Sequence, residues 1–455
     1  MAERATAPHA ARPTRARFVI LALLFISVVI NYLDRANLAI AAPLLGKELG
    51  IDSVRMGLVL SAFGWSYVVC QVPGGWLVDR MHPRRLYAVL IVLWSVATAM
   101  LGLSTGLAML FALRLAIGAM EAPSYPINNR VVTTWFPENE RATAIGCYTS
   151  GQFVGLAFLT PALMYLQVHF GWRSIFISVG ALGILWGAVW YAIYRGPLSD
   201  RRANPAEIER IRAGGGLVEL SDRNPGSGKH GFHPQDLGYV LSRSKLWGIY
   251  IGQYALNSTL WFFLTWFPTY LVKYRGIAFQ QAGWLASLPF LAAFGGVICS
   301  GLLSDVLVRR GCSLSVARKT PIVTGLLLSI TIVGANYART PNLIVAFMGL
   351  AFFGNGLASI TWSLVSTVAP RRLIGLTGGV FNFIGNMASV TVPIVIGMLV
   401  RGGDFSLGLI YIALLALVGA LSYILLVGRI ERLPDNPQTA ILSLDPSSGG
   451  GLSKG

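Results

Sequence analysis

Four ionisable side chains lie deep inside apolar stretches of this chain: Asp34 and Arg35 in the first, Arg114 and Glu121 in the fourth. An arginine fork grips a carboxylate through two N–H donors and stays charged throughout. It can hold an anion but cannot carry a proton at neutral pH. A carboxyl can, because withdrawal from water favours its protonated form. The five histidines (His9, His82, His169, His230 and His233) all fall outside the apolar stretches, so proton carrying falls to Asp34 and Glu121. When Glu121 takes a proton, its arginine partner is released and becomes free for a solute carboxylate. That exchange would couple an acidic solute to protons.

Spacing limits who can meet whom. Arg114 and Glu121 are seven residues apart, about 700° and about 10.5 Å along a helix, so they share a face without touching. Asp34 and Arg35 point about 100° apart. The expected arrangement with no solute bound pairs Asp34 with Arg114 and Arg35 with Glu121. The bland alternative is two buried salt bridges that only set helix packing. Buried pairs stabilise little compared with apolar replacements, and each charge at a bilayer centre costs about 2.5–3.5 kcal/mol. A transport role explains them better. Of the two arginines, Arg35 is favoured as the one that holds the solute.

The elements that carry these residues belong to a membrane. The chain has 455 residues, of which 54% are hydrophobic and 12% charged, far from soluble usage. Runs long enough to cross a bilayer are expected at 18–42, 54–78, 84–104, 107–135, 140–167, 172–195, 246–272, 281–307, 318–337, 342–368, 372–400 and 407–428. With a cytoplasmic N-terminus, most of the 36 lysines and arginines fall on the inner side, as the positive-inside rule requires. The net charge of +17 therefore reports topology and not a nucleic-acid partner. Arg12, Arg15 and Arg17 before Phe18–Ile30, with Ala39-Ile40-Ala41 beyond, imitate a secretory signal. Eleven further spans, and a charged pair ahead of the supposed cleavage site, argue for a retained helix. Cys70, Cys147, Cys299 and Cys312 are scattered and read as small core residues, not a disulfide framework.

The expected fold is therefore an all-α membrane protein of twelve transmembrane helices in two pseudo-symmetric six-helix bundles, with both termini cytoplasmic. Its parts are an N-tail (1–17), a first bundle (18–195), a cytoplasmic linker (196–243), a second bundle (244–430) and a C-tail (431–455). Within the linker, Asn204-Pro205 reads as an N-cap with proline at N1, opening a short amphipathic helix that Gly214-Gly215-Gly216 ends. The tail with Gly449-Gly450-Gly451 is a poor candidate for order. In span four, Pro123 and Pro126 can bend the helix just beyond Glu121.

The halves echo each other. Gly75-Trp76-Leu77-Val78-Asp79-Arg80 with Arg84-Arg85 follows span two, and Gly301-Leu302-Leu303-Ser304-Asp305 with Arg309-Arg310 follows span eight. Gly-xxx-Asp-Arg-xxx-Arg-Arg resembles the signature of the major facilitator superfamily, although His82 stands where the usual glycine would. Asp79, Arg80, Arg84, Asp305 and Arg309 are expected to act as gate latches at the cytoplasmic face. Asn31-Tyr32-Leu33-Asp34-Arg35-Ala36-Asn37, and Arg114 with Gly118 and Glu121-Ala122-Pro123, resemble the anion:cation symporter family within it. That resemblance implies two parallel repeats around a midplane site and matches Asp34, Glu121, Arg35 and Arg114 to proton and anion sites. Tyr148-Thr149-Ser150-Gly151-Gln152-Phe153-Val154-Gly155 and Ser359-Ile360-Thr361-Trp362-Ser363 are similar to the members that carry galactonate. By the same resemblance Tyr32, Tyr67, Gln152, Ser359, Thr361, Trp362 and Asn382 would read the hydroxyls of a polyol.

Each of these has a plainer reading: serine and threonine in a span often bond their own helix, and Trp362 could be packing. Asn257 and Asn386 are weaker candidates. The resemblance implies a proton-coupled importer of a sugar-acid anion, D-galactonate, in the bacterial inner membrane. Aldarate and hexuronate carriers, or a non-transporting sensor, are the alternatives. No enzyme is expected. Gly102-Leu103-Ser104-Thr105-Gly106 and Gly451-Leu452-Ser453-Lys454-Gly455 fit a hydrolase pattern but follow no strand and suggest no triad. Gly226-Ser227-Gly228-Lys229 lacks the rest of a phosphate loop, so no nucleotide drives the process. Lys229-His230-Gly231-Phe232-His233 lacks further ligands, so no metal or other cofactor is expected, and the partners are the solute, protons and lipid.

Overall fold

The computed structural model describes residues 12–221, 234–370, 373–400 and 403–434. The sequence features at Gly226–Lys229, His230, His233, Gly449–Gly451 and Gly451–Gly455 lie outside the described residues, as does the side chain of Asp79. Among the described residues the chain is helical and contains no strand. Eleven helices among the described residues are long and apolar enough to cross a membrane. The stretch expected as the remaining span, 246–272, is helical over Ser244–Thr265 but is not among them. Gln253, Asn257, Ser258 and Thr259 dilute its apolar character.

The chain divides into two compact units, Met1–Leu49 with Trp65–Gly228, and Gly50–Gly64 with Lys229–Gly455. In the first, α1 (Ala16–Glu48), α2 from Trp65 onward (Ser53–Arg80 in all) and α3 (Pro83–Leu101) precede α4 (Leu107–Glu121) and α5 (Ser124–Trp135). Then come α6 (Glu138–Phe170), α7 (Trp172–Ile193) and the linker helix α8 (Pro205–Ala213). Lipid chains are as apolar as leucine, so helices in a bilayer hold together by close packing. The glycines make this possible here. A Cβ on Gly151 would lie 2.9 Å from the backbone oxygen of Phe25, where α6 meets α1. On α7, a Cβ at Gly180 would lie 2.6 Å from the backbone oxygen of Ser95 on α3.

The single expected span over 107–135 is broken directly after Glu121, since α4 ends there and α5 begins at Ser124. Pro123 has no N–H to give and its ring crowds the preceding turn, which favours a break at this point.

The linker helix forms as its caps foretold. Asn204 Oδ1 accepts from the Glu207 backbone N–H at 2.9 Å, and Gly215 at φ 81° turns the chain out. Glu207 is fully buried and accepts from the Ala16 N–H (3.0 Å), the Arg17 N–H (3.3 Å), the Arg17 guanidinium (3.1 Å) and the Thr14 hydroxyl. The first N–H groups of a helix have no partner of their own, and this carboxylate caps α1 from the linker. Arg17 also pairs with Glu140 at the start of α6, and Glu140 with Arg210 of α8. The brace therefore ties three segments together.

In the second unit α9 (Pro234–Ser242), α10 (Ser244–Thr265), α11 (Phe267–Thr269) and α12 (Phe279–Arg309) are followed by α13 (Leu314–Ser329) and α14 (Pro341–Ala358). A 3-10 turn over Ser359–Thr361 leads to α15 (Trp362–Val368), α16 (Ile374–Asn386), α17 (Ala388–Leu399) and α18 (Ser406–Leu425). α12 packs on α14 and α10 on α18. Phe263 and Phe352 stack at 4.0 Å, with Phe290 edge-on to Phe352 at 5.3 Å.

Candidate functional site

All four deep charges are buried in the first unit. Arg35 Nε lies 3.0 Å from Glu121 Oε2, the expected pair. Glu121 is the last residue of α4, directly before the turn at Ala122 and Pro123 that separates it from α5. The Arg35 guanidinium also sits 4.8 Å from the ring centroids of both Tyr32 and Tyr67. Aromatic faces attract a cation and leave the fork's edge available. The Tyr125 hydroxyl donates to that of Tyr32 at 3.4 Å.

The second expected pair takes another form. Asp34 Oδ2 accepts from the indole N–H of Trp94 at 3.0 Å, and Arg114 Nη1 donates to the backbone oxygen of Asp34 at 3.3 Å. Arg114 and Glu121 share one face of α4, and Arg35 turns towards it. Asp34, about 100° further round α1, turns to α3. Asp34 Oδ1 and Glu121 Oε1 make no hydrogen bond among the described residues. Each buried carboxyl thus has one held oxygen and one on which a proton can reside.

The other candidates are placed as follows. Gln152 is half-buried on α6. In the second unit, Ser359 and Thr361 lie on the 3-10 turn between α14 and α15. Thr361 is buried and its hydroxyl bonds that of Tyr423, so it faces the packed interior. Trp362 is 51% exposed, edge-on to Phe381 at 4.7 Å. Asn382 accepts from Asn386 Nδ2 at both its side-chain oxygen (3.0 Å) and its backbone oxygen (2.9 Å), so these two form one amide cluster. Gln253 Nε2 donates to Asn257 Oδ1 at 3.3 Å. At the helix ends Arg80 covers the Trp76 ring at 4.0 Å, while Arg84 donates to the Tyr191 backbone oxygen at 2.9 Å and covers its ring at 4.4 Å. Asp305 and Arg309 are exposed at the end of α12.

Sequence reasoning missed Trp94 and Tyr125. A buried indole or phenol needs a polar partner, but nothing along α3 distinguishes Trp94 from a tryptophan facing lipid. Tyr125 had a usable signal, since it sits four residues after Glu121, next to the proline break.

Residues 24–393 match the family described as the Major Facilitator Superfamily. The D-galactonate transporter of Escherichia coli O6:H1 is 53% identical, over 93% of this chain and 99% of that protein. The probable galactarate/D-glucarate transporter of Bacillus subtilis strain 168 is 41% identical, over 94% and 96%. Among solved structures, an inward-facing, occupied bacterial homologue of the human lysosomal transporter Spinster aligns with a TM-score of 0.68 at 18% identity, over 90% of this chain and 96% of that one.

Proposed function

This chain belongs to the major facilitator superfamily, as a multi-pass protein of the bacterial inner membrane, and we propose that it imports a monovalent sugar acid, D-galactonate, together with protons by alternating access. The observation that carries this reading is the buried Arg35–Glu121 pair at 3.0 Å flanked by Tyr32 and Tyr67. It combines an anion holder, a proton acceptor and aromatic faces suited to the C–H side of a polyol. Protonation of Glu121 releases the Arg35 fork to the solute carboxylate. Deprotonation on the inner side restores the pair and expels the solute. Asp34 is the second proton site, and Arg114, holding its backbone, keeps α4 against α1. Gln152, Ser359, Trp362 and Asn382 supply hydroxyl partners, and Thr361 fixes the turn that presents Trp362. Asp79, Arg80, Arg84, Asp305 and Arg309 make and break the cytoplasmic gate.

The relatives named for galactarate and glucarate support a second reading, an aldarate carrier. An aldarate has two carboxylates and so requires a second anion holder. Counterflow in proteoliposomes against a panel of labelled sugar acids tests both. D-Galactonate should exchange fastest, with aldarates competing weakly. Faster exchange of an aldarate overturns the assignment in favour of the second reading, and exchange of no sugar acid overturns both.

A further inference from the structure

Asp34 is buried with one carboxylate oxygen held and the other not. We propose that Trp94 is a positioning residue for proton transfer at Asp34: its indole N–H pins Oδ2 and thereby directs the proton to Oδ1. The inference rests on the reading of Asp34 as a proton site given above.

Indole nitrogen is a donor only. At 3.0 Å the indole hydrogen occupies the lone pair of Oδ2 that faces it in both charge states, which closes that position to a proton. Oδ1, which makes no hydrogen bond among the described residues, is therefore the favoured seat for the incoming proton. Thr98, one turn beyond Trp94 on α3, is fully buried, and its hydroxyl makes no hydrogen bond among the described residues. A hydroxyl donates to a carboxylate and accepts from a carboxylic acid, so Thr98 is able to serve a neighbouring carboxyl in either charge state, which the indole is not. Trp94 is itself held in place. It is 1% exposed and packs at 6.1 Å from Tyr87, which lies edge-on to Trp190 at 4.8 Å. Trp190 stacks in turn on Tyr194 at 4.6 Å. The indole cannot swing aside without unpacking that column.

The charged groups around Asp34 leave this task to Trp94. Arg114 and Glu121 face it from α4; the first reaches its backbone oxygen and the second is paired with Arg35, its neighbour on α1. Tyr87 on α3 packs on Trp94, the Tyr125 hydroxyl of α5 donates to Tyr32, and Arg130 of α5 is turned to the backbone oxygen of Met81 at 3.2 Å. Charged residues of α6 and α7 occur only in their end turns.

The test is Trp94→Phe, which keeps a ring and removes the donor. Losing a donor to the charged form favours the protonated form. The pH of half-maximal proton-driven uptake should rise by about one unit, while counterflow, which needs no net proton movement, persists as the control for folding. An unchanged pH profile in Trp94→Phe, with uphill uptake lost in Asp34→Asn, removes Trp94 from the mechanism and leaves Asp34 as a proton site. Uphill uptake retained in Asp34→Asn overturns both. If Trp94→Phe does not fold, the unaltered protein with 15N-labelled tryptophan gives the answer. One indole N–H resonance should move with pH and stop moving in Asp34→Asn; a spectrum in which no indole follows Asp34 overturns the proposal.

Discussion

Replacing Glu121 by glutamine keeps the shape of the side chain and imposes the neutral state. The Arg35–Glu121 pair is then permanently weakened, so Glu121→Gln should bind and exchange galactonate but fail to accumulate it under an acid-outside gradient. Loss of binding, measured calorimetrically, would move Glu121 into the solute's own contact shell. Arg35→Ala should abolish binding, and Arg35→Lys should weaken it about 10–100-fold, because a point charge replaces a two-pronged fork. The pair could be read from the sequence because charge is so scarce within the spans. The Asp34 contact could not. A one-dimensional pattern tells which residues lie about 100° apart, but not which neighbouring helix each will face. Nor does a hydropathy pattern separate an indole that serves a carboxylate from one that serves lipid.

At the scale of the helix, close approach governs. A Cβ at Gly180 would lie 2.6 Å from the Ser95 backbone oxygen and 2.7 Å from Ala99 Cβ, so neither neighbour can yield without α3 shifting. Gly180→Ala should destabilise the protein by about 1–3 kcal/mol, read as a lower unfolding temperature in detergent. Gly146→Ala, whose Cβ would meet nothing within 4 Å, is the neutral comparison. Helix boundaries were legible where local chemistry sets them. Asn204-Pro205 and the triple glycine bracket α8, and Pro123 breaks span four. The break at Ser359–Thr361 was not legible, because Ala358 to Trp362 contains neither proline nor glycine, and tertiary contacts such as Thr361 with Tyr423 decide the geometry. The stretch 246–272 is helical over Ser244–Thr265, and its polar residues set it apart from the apolar composition of the other spans.

For the whole molecule the question is energetic. One pH unit supplies about 1.4 kcal/mol per proton, and 100 mV about 2.3 kcal/mol per net charge moved. One proton per monovalent anion is electrically silent and draws on the pH gradient alone. Two buried carboxyls, each with an oxygen open to a proton, support two protons per galactonate. Adding galactonate to proteoliposomes on a solid-supported membrane should then give an inward positive current. Uptake without current would reduce the count to one and leave a single carboxyl as the coupling site. The membrane class follows from composition, because a bilayer demands long apolar helices of any chain that crosses it, and the placement of the basic residues supplies the expected orientation. The solute does not follow in the same way, since the proposed polyol contacts are a few amides and hydroxyls whose geometry depends on side-chain placement.

The carboxylate of Glu207 that closes over the start of α1 has a practical corollary. Asn204 reaches as far back as the carbonyl of Arg12, at 2.8 Å, and to Thr14. An affinity tag joined upstream of residue 12 leaves these contacts of Arg12, Thr14, Ala16 and Arg17 in place. Trimming the chain to Phe18 would remove Arg17 together with Thr14 and Ala16, strand a buried anion in the linker, and loosen the very helix on which Asp34 and Arg35 ride.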